Sequence, residues 1–154
     1  MKVLRYNLIL FFFIPFQGFS QYALISSNTF SNLLVEVALS NKQKKDGLMF
    51  VEQLETNGLL LYYKAPKIVN IWMKNTLIPL DIIFIDENME IISIKKGNPF
   101  SKDIISSEFP VIGVLEIPQG CTKKLKIKKG HITKLTFLKG KKKNIRYYHC
   151  LDDY

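Results

Sequence analysis

The sequence predicts an all-β domain, a mostly antiparallel sandwich or barrel that carries one short helix. Seven short apolar runs, rich in β-branched and aromatic residues, are separated by Gly, Pro, Asn or Asp, as consecutive strands are. The runs span residues 33–38, 59–63, 69–73, 82–85, 90–94, 111–117 and 132–138. No segment keeps a helical period beyond about two turns, so strands must supply the core.

The short helix is predicted over Asn41–Asp46 from its end signals. Ser40 can cap the first turn and Gln43 stands three residues later, which is the spacing of a capping box. Gly47 follows as a left-handed residue that ends the helix. A second helical turn is expected near residues 122–125, a hairpin turn at 86–88, and a long surface loop at 98–110.

The first twenty residues have the pattern of a secretory signal peptide. Cations at positions 2 and 5 precede an apolar run at 8–16, and small residues stand at positions 18 and 20. Charge, apolar core and small residues in this order indicate a signal cut before Gln21. We therefore expect an exported protein in the periplasm or outside the cell, which stays anchored to the membrane if the segment is not cut.

After this signal peptide, the chain divides into three parts. Residues 21–32 form a leader segment of uncertain structure, residues 33–138 a single β domain, and residues 139–154 a basic and flexible tail. The length of the central part suits one domain with one core. The hydrophobic content of 47% also indicates a packed domain.

The positive charge is concentrated near the C-terminus. The formal net charge is +9, and no acidic residue occurs between Lys123 and Arg146. The run 139–146 can be a solvated tail, or it can contact an anionic envelope surface through screened electrostatic attraction. Export argues against a nucleic-acid partner.

The sequence gives little support for metal, cofactor or thiol chemistry. The two histidines, His131 and His149, have no Cys or carboxylate neighbours at the spacing of a zinc site. No phosphate-binding or dinucleotide glycine motif occurs, so we expect no cofactor and no metal. Cys121 and Cys150 can pair in an oxidising compartment, but two cysteines do not decide whether they do.

The segment WMKNTLIPLDIIFID, from Trp72 to Asp86, is the most informative of the chain. It places an amine, an amide, a hydroxyl and a carboxylate beside an apolar strand, where polar groups are costly unless they are satisfied. Glu116 lies farther along the chain, and we expect it to point to the opposite face of its strand from Leu115 and Ile117. The candidate site residues are these polar groups, an aromatic neighbour and this glutamate: Lys74, Asn75, Thr76, Asp81, Trp72 and Glu116.

Five segments together resemble the bacterial and archaeal family called domain of unknown function 192. They are VEVA (35–38), DGLMF (46–50), NGLLLYY (57–63), WMKNTLIPLDIIFID (72–86) and VLEIPQG (114–120). The resemblance covers residues 33–138 and implies a mostly antiparallel β-sandwich or barrel with a small helix, often exported. It implies no activity. Many relatives carry two cysteines in the loop that corresponds to 98–110, and this chain has none there.

Three functions remain open at this point. The leading hypothesis is a non-enzymatic envelope binding module for a small polar ligand or glycan, with Trp72 and Tyr62 or Tyr63 as a stacking surface. The alternative is a cofactor-independent, hydrolase- or lyase-like enzyme in which Asp81 and Glu116 act as acid and base. The third is a structural or assembly partner in the envelope. Independently of these functions, the polar cluster can be purely structural, with Asp81 accepting from the amides of the neighbouring turn and Lys74 neutralising it.

Overall fold

A computed structural model describes residues 21–138 and Cys150. The predicted signal peptide and the basic run 139–146 lie outside these residues.

The described chain contains nine strands and two short helices. They are β1 (Tyr22–Ser27), β2 (Leu33–Ala38), α1 (Asn41–Asp46), β3 (Leu59–Lys67), β4 (Asn70–Ile71), β5 (Leu80–Ile85), β6 (Ile91–Gly97), β7 (Ile105–Ser106), β8 (Val111–Pro118), α2 (Cys121–Lys124) and β9 (Thr133–Phe137). In this part of the chain, no helix has the length and apolarity to cross a bilayer.

Seven strands form one curled sheet in the order β6-β5-β8-β3-β2-β1-β9. All neighbours are antiparallel except β2 and β3, which are parallel. The two outer strands meet where they begin, because the Ile91 N–H donates to the His131 carbonyl at 2.9 Å and the Thr133 N–H donates to the Met89 carbonyl at 2.8 Å. The sheet is thus a partly closed barrel, which confirms the predicted all-β fold class.

Most elements lie where the sequence places them, and the leader is the main exception. Each predicted run overlaps a strand, and β2 has the predicted bounds. Residues 21–32, expected to have no clear structure, contain β1, which lies between β2 and β9. The hydrophobic pattern of β1 is weak, because only Ala23 and Ile25 are buried. Backbone hydrogen bonds to β2 and β9 on its two sides stabilise the strand instead. The predicted loop 98–110 contains β7, which pairs with β4 as a separate two-stranded ribbon.

The helix α1 confirms the predicted capping box. The Gln43 N–H donates to the Ser40 hydroxyl at 3.1 Å, and the Gln43 side chain accepts from the Ser40 N–H at 3.0 Å. Gly47 ends the helix with φ 51° and ψ −132°, a positive φ that favours glycine but lies outside the left-handed helical region. The second helical turn lies at Cys121–Lys124, one residue before the expected position.

Two apolar clusters lie on opposite faces of the sheet. The first joins side chains from most strands around the curl, including Leu115 and Ile117 of β8, and therefore fills the interior. The second lies on the other face of β3, β5 and β8, where the ribbon and the segment after α1 cover it. Both faces of β5 are consequently buried along its whole length.

Asp81 fixes the start of α2 from the interior face. Its Oδ2 accepts from the Gly120 N–H at 2.9 Å, the Thr122 N–H at 3.1 Å and the Thr122 hydroxyl at 2.6 Å. Gly120 precedes the helix and has no side chain with which to cap it. Asp81 therefore supplies the acceptor that an N-cap side chain would provide.

The chain returns to the core at Cys150. This residue forms a disulfide with Cys121, 29 positions earlier, and is 2% exposed within the interior cluster. Its N–H donates to the Asn57 side chain at 2.7 Å, and its carbonyl accepts from the Lys124 ammonium at 2.9 Å. The cysteines that the sequence left undecided are thus paired, and Cys150 of the predicted tail is attached to the domain.

Asp81→Ala should lower the free energy of unfolding by about 1–3 kcal/mol, because three partly buried hydrogen bonds from Gly120 and Thr122 lose their acceptor. Urea unfolding of the variant and the wild type measures the difference. Asp103→Ala is the matched control, since Asp103 is exposed and accepts from Ser101 only two residues away. Equal losses in the two variants would contradict the role given to Asp81.

Replacing both Cys121 and Cys150 by Ser should lower the free energy of unfolding by about 3–4 kcal/mol, because the open loop regains entropy in the unfolded chain. The measurement is urea unfolding with and without reductant. Reductant should destabilise the wild type to a similar extent and leave the double variant unchanged. A wild type insensitive to a reductant that breaks the bond would refute this.

Candidate functional site

The predicted polar cluster forms a tight turn whose hydrogen bonds come from the backbone. Asn75 has a left-handed φ of 60°. Its carbonyl accepts from the Phe50 N–H at 2.8 Å, and the Thr76 carbonyl accepts from the Phe100 N–H at 3.1 Å. The turn therefore ties the segment after α1 to the segment before the ribbon strand β7, and it brings separate parts of the chain to one place.

A cleft of about 210 Å³ lies beside this turn. Its walls come from the end of α1 and the residues after it, from β4 and the residues after it, and from the central strands. The polar side chains that line it are Lys44, Lys45, Asp46, Asn70, Thr76 and Glu116. Trp72 lines it as well and is 40% exposed.

Glu116 reaches the cleft because of its place in the sheet. It lies near the middle of β8, opposite Ile82 of β5 and Leu59 of β3, so its side chain points away from the interior side chains Leu115 and Ile117. This confirms the predicted separation. A Cβ built on Gly47 would lie 3.8 Å from the Glu116 carboxyl, so the chain passes close to it.

The Glu116 side chain is largely buried, and its carboxyl opens on the cleft without a partner from the described chain. The residue is 4% exposed, and within the described chain its carboxyl has no hydrogen-bond or ion-pair partner. Desolvation by burial raises the pKa of Glu116 to about 7, and no other group contributes to this shift. A buried carboxyl of this kind on a cleft is typical of a functional position.

Tyr63 lies close enough to Glu116 to feel its charge, and Lys44, which lines the cleft, lies over the Tyr63 ring. Burial and the charge of Glu116 raise the pKa of Tyr63 to about 12. The Lys44 ammonium lies 4.9 Å from the centre of the Tyr63 ring and donates to the Leu39 carbonyl at 2.8 Å. Burial, followed by the charges of Lys67 and Lys64, lowers the pKa of Lys44. Of the two tyrosines proposed for stacking, Tyr62 instead packs against the interior cluster.

The predicted site residues therefore separate into two groups. Trp72, Thr76 and Glu116 line the cleft, and Lys74 stands beside it with its ammonium 5.2 Å from the centre of the Trp72 rings. Asn75 contributes its backbone to the turn. Asp81 does not belong to this group.

Asp81 and Glu116 lie on opposite faces of the sheet. Glu116 is paired with Ile82, and Asp81 is paired with Ile117, so adjacent positions of β5 and β8 carry the two carboxyls in opposite directions. The predicted acid–base pair of Asp81 and Glu116 is thus wrong, because both groups cannot face one substrate. The predicted contact of Asp81 with Lys74 and the turn is also wrong, because the Asp81 carboxyl accepts instead from three donors of Gly120 and Thr122 at the start of α2.

Sequence reasoning missed the wall contributed by α1. Lys44, Lys45 and Asp46 line the cleft, although the helix reads from sequence as a short solvated element. The segment DGLMF was a usable signal, because it follows the helix directly and its Phe50 is bonded to the turn at Asn75. Among the described residues, no group of three or more His, Cys, Asp or Glu is placed to hold a metal.

Comparison with known families gives one match over most of the domain. The model of domain of unknown function 192, described as "Uncharacterized ACR", matches residues 23–135. Comparison with curated proteins gives no match.

Two solved structures are similar in fold. One is a protein from Sinorhizobium meliloti 1021, named as a candidate transcription regulator, with 31% identity, a TM-score of 0.69 and coverage of 76% of this chain and 94% of its own. The other is a protein of unknown function from Novosphingobium aromaticivorans DSM 12444, with 26% identity, a TM-score of 0.69 and coverage of 78% of this chain and 89% of its own.

The raised pKa of Glu116 predicts a stability that falls as pH rises. The folded chain keeps the proton up to about pH 7, whereas the unfolded chain releases it near 4.5. The contribution of this group to the free energy of unfolding is therefore greatest below pH 4.5. It decreases by about 3 kcal/mol between pH 4.5 and pH 7 and stays at the lower value above pH 7.

Glu116→Gln should remove this pH dependence, because an amide does not titrate. At pH 8 we expect the variant to be more stable than the wild type by about 1–3 kcal/mol, with little difference at pH 4.5. Urea unfolding at a series of pH values measures it, and the difference between the two proteins cancels all other titrating groups. Parallel stability curves would contradict the burial of an unpaired carboxyl.

Proposed function

Because this chain belongs to the family domain of unknown function 192, whose description assigns no activity, we propose from its site that it is a non-enzymatic envelope binding module. The ligand is small and polar and bears several hydroxyl groups, such as one sugar residue of a glycan. The cleft beside Glu116 is the binding site.

One observation supports this proposal above the others: the unpaired, buried carboxyl of Glu116 opens on a cleft. A carboxyl held in this way destabilises the folded chain at neutral pH, and nothing in the described residues offsets it. A ligand that donates hydrogen bonds to this carboxyl offsets the loss on binding. The site is therefore arranged for a donor that comes from outside the chain.

The other lining groups favour hydroxyl groups on the ligand. The side chains of Asn70 and Thr76 can each donate and accept, and Trp72 offers a partly exposed ring surface. The volume of about 210 Å³ lies below the range of roughly 300–1,000 Å³ typical of drug-sized ligands, so a single small ring suits it.

A hydrolase- or lyase-like activity has less support because Asp81 points to the other face of the sheet and does not reach the cleft. The other carboxyl that lines the cleft among the described residues is Asp46, and its Oδ2 lies 2.5 Å from the Lys42 ammonium. This ion pair with Lys42 on its own helix engages the Asp46 carboxyl, so the cleft offers no second unpaired carboxyl among the described residues. An assembly role in the envelope remains the further alternative, and co-purification with a fixed partner would favour it.

The cellular setting is part of the proposal and rests on sequence alone. Residues 1–20 direct export to the periplasm or the exterior, and residues 139–146 contact an anionic envelope surface. The Sinorhizobium relative is named for transcription, but export separates this chain from nucleic acid in our proposal. We therefore propose no nucleic-acid partner for this chain.

Calorimetric titration with a panel of neutral mono- and disaccharides tests the proposal. We expect saturable binding by the wild type, stronger at pH 8 than at pH 6, because the ionised carboxyl is the better acceptor for hydroxyl groups. Glu116→Leu, which keeps a similar size and removes the acceptor, should weaken binding at least about tenfold.

Glu87→Leu is the control, because Glu87 is an exposed carboxyl in the turn between β5 and β6 and should not change binding. Equal binding by wild type and Glu116→Leu would move the site away from the cleft. Turnover of any saccharide that binds would favour the enzyme alternative.

A further inference from the structure

A group of large apolar side chains is exposed beside the cleft, and of its members only Trp72 also lines the cleft. We name Phe50, Trp72, Phe100 and Ile104 the aromatic rim. Their exposed fractions are 70% for Phe50, 61% for Phe100, 62% for Ile104 and 40% for Trp72. Exposed large apolar side chains that lie together mark an interaction surface more often than single ones do.

The backbone places the members of the aromatic rim together. Phe50 and Phe100 flank one turn, because their N–H groups donate to the adjacent carbonyls of Asn75 and Thr76. The ribbon pairs Asn70 with Ser106 and Ile71 with Ile105, so Trp72, which follows Ile71, and Ile104, which precedes Ile105, lie at the same end of the ribbon. The ribbon and the turn thus both lie beside the cleft, which Trp72 and Thr76 line.

Two members of the rim are held in an unfavourable backbone conformation. Phe50 has φ 62° and Phe100 has φ 61°. A bulky residue in the left-handed region costs on the order of 1–3 kcal/mol, and such residues cluster at sites that hold ligands. Because both rings are mostly exposed, burial within the described chain does not offset this strain.

The charges around the rim indicate the chemistry of its partner. Cations outnumber carboxylates at the cleft edge and beside the rim: the cations are Lys44, Lys45, Lys64, Lys67, Lys74 and Lys102, and the carboxylates are Asp46, Glu52 and Asp103. The Lys74 ammonium lies 5.2 Å from the centre of the Trp72 rings, and exposed Lys102 follows Phe100 by two positions. A second copy of the chain would bring like charges together at this surface. Aromatic and lysine side chains in combination are typical of protein surfaces that enter the interface of an anionic bilayer.

We propose that the aromatic rim docks this protein on an anionic lipid bilayer, with the Phe50 and Phe100 rings in the interfacial region and the neighbouring lysines at the lipid headgroups. The cleft then opens near the membrane surface. This docking does not depend on which ligand the cleft binds, because Phe50 and Phe100 do not line the cleft.

The chain carries its own probe for this proposal, since Trp72 is its one tryptophan. The experiment adds the full-length protein to vesicles of phosphatidylglycerol and phosphatidylcholine whose acyl chains carry bromine, which quenches tryptophan on contact. We expect quenching of Trp72 emission and a shift to shorter wavelength. Contact of residues 1–20 or 139–146 with the vesicles cannot produce this signal by itself, because those residues contain no tryptophan.

The test variant is Phe50→Asn with Phe100→Asn, since asparagine adopts a positive φ readily. We expect at least a tenfold loss of vesicle affinity measured by quenching, with a melting temperature equal to or above that of the wild type. Ile132→Asn is the control, because Ile132 is 57% exposed and lies at the β6–β9 contact, away from the rim.

Three outcomes would overturn the proposal. The first is co-sedimentation with vesicles without quenching of Trp72, which would place the contact elsewhere. The second is equal quenching in the double variant and the wild type. The third is no interaction with anionic vesicles at low salt, which would leave a protein partner as the occupant of the rim. Loss of saccharide binding with quenching retained would refute the proposed function alone.

Discussion

Strand β8 is hydrogen-bonded on both sides, to β3 and to β5, and this pairing constrains everything around it. Adjacent residues of a strand must point to opposite faces, and both faces are filled by apolar clusters. A carboxyl that enters this part of the sheet is therefore buried whichever way it points. The fate of each carboxyl is decided by the donors that the rest of the chain brings to that face.

The two buried carboxyls have opposite environments for this reason. Asp81 meets the start of α2, where three donors of Gly120 and Thr122 surround one of its oxygens. Glu116 meets the cleft, where Gly47 and the segment after α1 leave it accessible but bring it no donor. The first arrangement stabilises the fold and orders the helix that carries Cys121. The second costs stability at neutral pH, which is the usual condition of a binding site before its ligand arrives.

The same division extends to the surface around the cleft. The turn at Asn75 and Thr76 is built from backbone hydrogen bonds to Phe50 and Phe100, so the turn that shapes the cleft also fixes two exposed rings. Within the interior, Cys150 belongs to the apolar cluster and is joined to Cys121 of α2 by the disulfide. The contacts of Asp81 and Cys150 thus stabilise the interior, whereas the unpaired carboxyl of Glu116 and the left-handed Phe50 and Phe100 lie around the cleft.

Much of the fold could be predicted from local patterns. The strands of β2, β3, β5 and β8 have apolar runs with β-branched residues, and the capping box of α1 depends on residues three positions apart. The strand β1 and the ribbon strand β7 could not be predicted, because each depends on partners far along the chain. Local preference is weak where a strand is short or half exposed, and pairing then decides it.

The sequence by itself determined that the Glu116 side chain points to the opposite face of its strand from those of Leu115 and Ile117, because this alternation is a property of any strand. It also identified Trp72, Lys74 and Thr76 as members of one segment. Only the tertiary structure decided that Asp81 points away from Glu116, because that depends on the register between β5 and β8. It alone brought α1 to the cleft and paired Cys121 with Cys150, since contacts between distant residues leave no periodic trace in the sequence.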